Sequence, residues 1–149
     1  MADELLAKAL AALGRKALTE AEMREWLAAR EVEEGEAERV VSFLTENLAI
    51  DDRAFAVAFA SDKRELSGWG KDRIREVLLR RGVERRLVEE ALSPDDGESE
   101  VDRAVRVLKE RGADLGDDRG RQRALGLLAR RGYDAEEAYA AIRIAGRAA

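Results

Sequence analysis

An internal repeat constrains this chain more than any other feature of its sequence. Three segments superimpose when Glu31, Gly82 and Gly132 are aligned, at offsets of 51 and 50 residues. In each copy, apolar residues at i, i+3 and i+4 indicate one amphipathic helix before the aligned position and another after it. Because the apolar register agrees in all three copies, the sequence predicts a helical unit repeated along the chain.

We therefore predict an all-α fold of three tandem three-helix, helix-turn-helix-like repeats that form an elongated, curved array. The predicted boundaries are residues 1–51 for the first repeat, 52–93 for the second, and 94–149 for a linker and the third. A unit of about 45 residues has little interior, so the copies should pack on one another. A charged share of 40% and a single proline in 149 residues agree with helices throughout.

Short sequence signals predict where the helices begin and end. The run Thr19-Glu20-Ala21-Glu22 is a capping box, in which the hydroxyl and the second glutamate satisfy free backbone N–H groups. Gly82 and Gly132 each follow two arginines, as expected for a left-handed cap at a helix C-terminus. The run 93–97 (Ser-Pro-Asp-Asp-Gly) is the predicted linker.

A second-repeat core is predicted from apolar spacing. Phe55, Phe59 and Leu66 project from nearly one side of a helix, so we expect them to anchor the core. The remaining residues that we expect to be buried with the two phenylalanines are Ile74, Val77, Leu78, Val88 and Leu92.

Composition argues against an enzyme. The chain has no histidine and no cysteine, so the commonest general base, metal ligand and thiol nucleophile are all missing. Asp51-Asp52 and Asp117-Asp118 precede helical stretches, where we interpret them as caps rather than metal ligands. Gly68-Trp69-Gly70-Lys71 lacks the spacing of a phosphate-binding P-loop. We expect no catalysis, no cofactor and no metal.

The cellular location is predicted from absent signals. No apolar stretch approaches the roughly 20 residues of a membrane span, and acidic residues stand where a signal peptide is basic. Without cysteine there is no disulfide chemistry. We expect a cytoplasmic monomer that does not enter a membrane.

The middle of the chain resembles the RecX family. Its motifs are an acidic pair, phenylalanines four residues apart, a Gly-aromatic-Gly turn, and an Arg-Ile helix that ends in glycine and an aliphatic residue. They stand here as Asp51-Asp52, Phe55, Phe59, Gly68-Trp69-Gly70, Arg73-Ile74 and Gly82-Val83. The resemblance is strongest over residues 48–92 and extends over the chain through the three-copy arrangement.

This resemblance implies a regulator of the RecA recombinase in DNA recombination, DNA repair and the SOS response. It implies binding in the groove of the RecA filament on single-stranded DNA, most simply as an inhibitor of ATP hydrolysis and strand exchange. Ser61 and Asp62 stand where the family often has a basic residue, and the net charge of −5 is more acidic than is common. These departures predict weak direct contact with nucleic acid.

Charge is unevenly distributed, with net values of −6, +2 and −1 over the three predicted repeats. Arg73/Arg80 and Arg123/Arg130 occupy equivalent positions seven residues apart, so they predict a basic stripe. The alternative is a solvated helix face whose arginine stems cover apolar neighbours. Trp69 either caps the core or anchors a partner. The full predicted set for binding the RecA filament or DNA is Lys63, Arg64, Trp69, Lys71, Arg73, Arg75, Arg80, Arg81, Arg123 and Arg130.

Two other functions compete with the filament regulator. One is a helix-turn-helix-like DNA-binding protein that acts without RecA, against which the pI of about 5.1 argues. The other is a small helical enzyme, which the missing histidine and cysteine oppose.

Overall fold

A computed structural model describes residues 2–93 and 97–147, and over those ranges it confirms the all-α prediction. The described residues form nine helices and no strand. The helices are α1 (Ala2–Arg15), α2 (Glu20–Ala29), α3 (Glu34–Glu46), α4 (Asp52–Ser67), α5 (Lys71–Arg80), α6 (Arg85–Leu92), α7 (Glu100–Glu110), α8 (Asp118–Arg131) and α9 (Ala135–Arg147). Three residues of the predicted linker, 94–96, lie outside the described residues.

The helix caps follow the sequence signals. Thr19 and Glu22 form the predicted capping box at the start of α2. The Asp51 carboxylate accepts a hydrogen bond from the Ala54 amide at 3.0 Å, and that of Asp117 accepts one from Gly120 at 2.7 Å. Asp51 and Asp117 are therefore helix caps, as interpreted from the sequence.

Backbone conformation supports the register of the repeat. The three aligned residues Glu31, Gly82 and Gly132 all have positive φ, at 56°, 88° and 100°. Each lies at the corner between the second and third helix of its predicted copy. The left-handed caps predicted at Gly82 and Gly132 are therefore confirmed, and Glu31 shares their conformation at the aligned position.

The chain divides into two compact units, Met1–Val57 with Leu78–Ala91 and Ala58–Val77 with Leu92–Ala149. Each has its own apolar core. The buried core of the first unit is Ala9, Met23, Leu27, Val40, Val41, Leu44 and Ile50. That of the second is Ala104, Val105, Val107, Leu108, Ala124, Leu128, Tyr133, Ala138, Ala141, Ile142 and Ala145.

In the first unit, the N-terminus of α2 packs against the corner between α5 and α6. The buried Thr19 hydroxyl donates to the Arg81 carbonyl at 2.7 Å, and a Cβ on Gly82 would lie 2.3 Å from that of Ala21. The Glu20 amide, the first of α2, donates to the Asp52 carboxylate at 3.0 Å. Asp52, the first residue of α4, thus caps a different helix from its own.

In the second unit, the N-terminus of α5 packs in the same way against the corner between α8 and α9. The Gly70 amide donates to the Arg131 carbonyl at 2.7 Å, and the Asp72 amide to that of Gly132 at 3.1 Å. The Lys71 amide, the first of α5, donates to the Glu100 carboxylate at 2.7 Å. Because Glu100 is the first residue of α7, the two units use one arrangement at equivalent positions of the repeat.

The predicted second-repeat core needs correction. Ile74, Leu78 and Val88 are fully buried, but Phe55, Phe59, Val77 and Leu92 are only partly buried. Leu66 was predicted to be a core anchor, which is wrong, since it is 83% exposed. The reason is that α4 buries a stripe of small residues, Ala56 and Ala60, so its large apolar side chains lie on the flank.

We expect Phe59→Ala to lower the free energy of unfolding by about 2 kcal/mol, below the roughly 3–5 kcal/mol of a fully buried phenylalanine. The ring is partly buried and contacts Trp69 edge-on, with centroids 6.1 Å apart. Urea denaturation followed by circular dichroism measures the change. Leu66→Ala is the matched control on the same helix flank and should stay within about 0.5 kcal/mol. Equal losses in the two variants would contradict this assignment.

Candidate partner-binding surface

Trp69 lies in a turn whose backbone is tightly fixed. Gly68 has φ of 63° just after α4, and the Trp69 amide donates back to the Lys63 carbonyl at 3.0 Å, which closes the helix end. A Cβ on Gly70 would lie 2.5 Å from the Gly132 carbonyl oxygen. The turn therefore needs glycine on both sides of Trp69, and it presents the indole at one defined place.

Two cations lie over the Trp69 ring. The Lys63 ammonium is 4.7 Å and the Arg73 guanidinium 4.0 Å from the ring centroid. Arg73 also donates to the Arg130 carbonyl at 3.0 Å. We call Lys63, Trp69, Arg73 and Arg130 the Trp69 cluster. The indole is only partly buried, so it does not fill the core. It contacts two basic side chains, Lys63 and Arg73, and holds them in place.

Arg123 and Arg130 line a second feature, a groove of about 520 Å³ along α8. Two further arginines that the sequence analysis missed, Arg111 and Arg119, line the same groove. Arg119 precedes Arg123 by four residues, so helical periodicity could have identified it. Arg111 follows α7, and its position depends on how α7 packs, which no local pattern gives. We call these four residues the arginine groove.

Lys71 and Arg81 are engaged within the fold. Burial by itself would lower the pKa of Lys71, but ion pairs with Glu137 and with Asp134 (3.5 Å) raise it above its ordinary value. Arg81 binds both carboxylate oxygens of Glu22 at 2.9 Å. Burial raises the pKa of Glu22, yet the hydrogen bonds from Arg81 and Thr19 outweigh it and leave that pKa below its ordinary value.

The other predicted arginines lie on α4 and α5. Arg64 is partly buried, and its carbonyl accepts a hydrogen bond from Arg106 at 2.9 Å. Arg75 pairs with Asp72 at 3.0 Å, while Arg80 is exposed in the last turn of α5. Arg80 lies in the first unit, and the Trp69 cluster and the arginine groove lie in the second.

Neither a metal centre nor a membrane span is found within residues 2–93 and 97–147. No three acidic side chains of these residues are arranged to hold a metal ion. None of the described helices is both long and apolar enough to cross a bilayer.

Comparison with known families gives two matches. The model described as "RecX, first three-helix domain" matches residues 6–44, and that described as "RecX, second three-helix domain" matches residues 51–92. These ranges contain most of α1 and α3 and the whole of α2, α4, α5 and α6.

Individual relatives extend the similarity over the chain. The regulatory protein RecX of Deinococcus radiodurans is 39% identical over 142 residues, which cover 95% of this chain and 68% of the relative. That of Thermus thermophilus is 39% identical over 109 residues, covering 73% and 72%. A crystal structure of RecX from Lactobacillus salivarius shares the fold with a TM-score of 0.81, at 17% identity and with 98% and 97% covered.

Proposed function

The chain belongs to the RecX family of regulatory proteins, and we propose that it regulates homologous recombination and DNA repair by binding RecA filaments on single-stranded DNA. In this proposal it occupies the filament groove and lowers ATP hydrolysis and strand exchange. It acts as a cytoplasmic monomer and has no hydrolase activity of its own.

The observation that carries this proposal is the similarity to RecX of Deinococcus radiodurans along 95% of the chain. In the second unit, the contacts that we assign are the Trp69 cluster and Arg123; Arg80, in the first unit, is assigned as a separate contact. Lys63 and Arg73 are held over the indole, so less side-chain entropy is lost when they bind an acidic partner. Of the ten residues predicted from sequence, three are assigned a supporting role because they are in ion pairs: Lys71, Arg75 and Arg81.

Inhibition follows from occupancy in this proposal. A helical protein of 149 residues that lies along a filament contacts more than one recombinase subunit. Binding to two subunits at once restricts the rearrangements that each needs for turnover. The acidic first repeat and the more basic later repeats suit two differently charged surfaces.

The test is ATP turnover by the cognate recombinase on single-stranded DNA, titrated with this protein. We expect wild type to lower turnover at saturation. Reversing Arg80, Arg123 and Arg130 to glutamate should raise the half-maximal concentration at least about tenfold, because three assigned contacts, one on the first unit and two on the second, change sign together. Helicity and melting temperature should stay nearly constant, since all three side chains are exposed.

The matched control reverses Arg15, Arg39 and Arg143, which are also exposed and lie on α1, α3 and α9. It should inhibit like wild type. If wild type leaves turnover and strand exchange unchanged at saturation, the proposed function is wrong. Nanomolar binding to free DNA at physiological salt, without any effect on the recombinase, would favour the DNA-binding alternative instead.

A further inference from the structure

The four residues of the arginine groove converge although they come from two parts of the chain. Arg119, Arg123 and Arg130 lie on α8, and Arg111 follows α7. At 100° per residue, the three on α8 share a stripe about 40° wide. They span about 16 Å, since a helix rises 1.5 Å per residue. The groove is thus lined by a row of guanidinium groups rather than by a point charge.

These guanidinium groups are not neutralised by ion pairs within residues 2–93 and 97–147. Two other arginines of α7 and α8 are neutralised in this way: Arg106 pairs with Glu98 at 2.9 Å, and Arg121 pairs with Asp118. The acidic residue lining the groove is Asp114, whose carboxylate accepts a hydrogen bond from the Gly116 amide at 3.0 Å. Four cations against one carboxylate leave the groove positive on a chain of net charge −5.

Helix α8 also leaves room for an arginine side chain along the groove wall. Gly126 lines the same groove, about 20° from the edge of the arginine stripe and one turn before Arg130, and has no side chain to cover the helix backbone. A Cβ at Gly126 would lie 3.2 Å from the Arg130 guanidinium, so Arg130 extends over this gap. The cations therefore line the wall of a groove in which a chain-like anion can lie along the helix.

We propose that the arginine groove binds the phosphodiester backbone of a nucleic-acid strand. Guanidinium groups bind phosphate oxygens in a bidentate manner. Phosphates of a stacked strand advance about 3.4 Å each, so a row of about 16 Å reaches four or five of them, more than a single nucleotide carries. This inference rests on the proposed function, which selected the surface. It adds that Arg123 and Arg130 contact phosphate groups of the nucleic acid rather than the recombinase.

An acidic protein surface fits the groove less well. Protein interfaces depend on buried aromatic or large apolar anchors, and the one large apolar side chain that lines the groove is the partly buried Leu127; the other lining residues are arginines, small residues, Asp114 and Gln122. Without an aromatic ring there is no platform for base stacking. Binding should therefore be independent of base sequence and governed by salt.

The experiment measures the fluorescence anisotropy of a labelled 15-nucleotide oligothymidylate with the full chain, without recombinase. With four phosphate contacts on a single strand, the log–log salt slope should be about −3, so affinity falls roughly 50-fold between 50 and 200 mM salt. Replacing Arg111, Arg119, Arg123 and Arg130 by glutamine should weaken binding at 50 mM salt at least about tenfold and flatten the slope towards zero. A mixed-sequence oligonucleotide should bind within about twofold of oligothymidylate.

The control replaces Arg15, Arg39, Arg85 and Arg143 by glutamine, which removes the same charge from four exposed arginines on different helices. It should bind within about twofold of wild type. The inference is overturned if the groove variant is folded by circular dichroism and binds like wild type, or if wild type shows no binding at 50 mM salt. Displacement by polyglutamate at equal charge concentration would also overturn it, in favour of an acidic protein partner. Loss of recombinase inhibition is scored separately, so either proposal can fail alone.

Discussion

Gly132→Ala is expected to lower the free energy of unfolding by roughly 2–5 kcal/mol, a large share of a typical domain's stability. Two costs add. Gly132 has φ of 100°, which L-residues rarely adopt, and its Cβ would lie 2.5 Å from both the backbone nitrogen and the Cβ of Arg73. Because a backbone atom is involved, a change of rotamer cannot relieve the overlap. Urea denaturation followed by circular dichroism measures the loss.

Two other glycines separate these costs. Gly112 also has positive φ, at 62°, but nothing lies within 4 Å of an added Cβ, so Gly112→Ala should show only the strain of about 1 kcal/mol. Gly35 lies within α3 with open space around it, and Gly35→Ala should be neutral or stabilising by about 0.5–1 kcal/mol. If Gly132→Ala costs no more than Gly112→Ala, the close packing of Arg73 on this corner is wrong.

Sequence could predict those features of the fold that depend on local backbone chemistry. Gly82 and Gly132 mark corners that need a left-handed residue, and the apolar register of the flanking helices places Glu31 at the same corner of its copy. The Thr19 capping box is also local, since both of its hydrogen bonds join residues three apart. Helix class and corner positions were therefore predictable without any knowledge of tertiary contacts.

Features that depend on contacts distant in sequence were not predictable. Asp52 caps an amide 32 residues away, and Glu100 caps one 29 residues away, though in sequence each looks like a cap for its own helix. The exposure of Leu66 has the same origin, because only packing decides that α4 buries Ala56 and Ala60. The arginine groove likewise combines residues that sequence could identify with one that only the fold brings in. Arg123 and Arg130 repeat in sequence, but Arg111 joins them only through the fold.

Arg103 is the second residue whose loss should have a large effect. It is only 3% exposed, and its guanidinium pairs with Glu100 at 2.6 Å and with Glu98 at 3.4 Å. It also donates to the Trp69 carbonyl at 3.4 Å. Since Glu100 caps the first amide of α5, Arg103 supports both the start of α5 and the turn that presents the indole. A local sequence pattern would place such an arginine on the surface.

We expect Arg103→Met to cost about 3 kcal/mol, because the methionine fills the space while Glu100 loses its partner in a partly buried site. Glu100→Gln keeps an oxygen for the Lys71 amide and removes the stranded charge. The double variant should therefore be more stable than Arg103→Met alone, with a coupling energy above about 1 kcal/mol. Urea denaturation gives these energies, and Trp69 fluorescence in a Trp26→Phe background reports on the turn. A loss below about 0.5 kcal/mol in Arg103→Met, with the emission of Trp69 unchanged, would mean that this ion pair does not hold the turn.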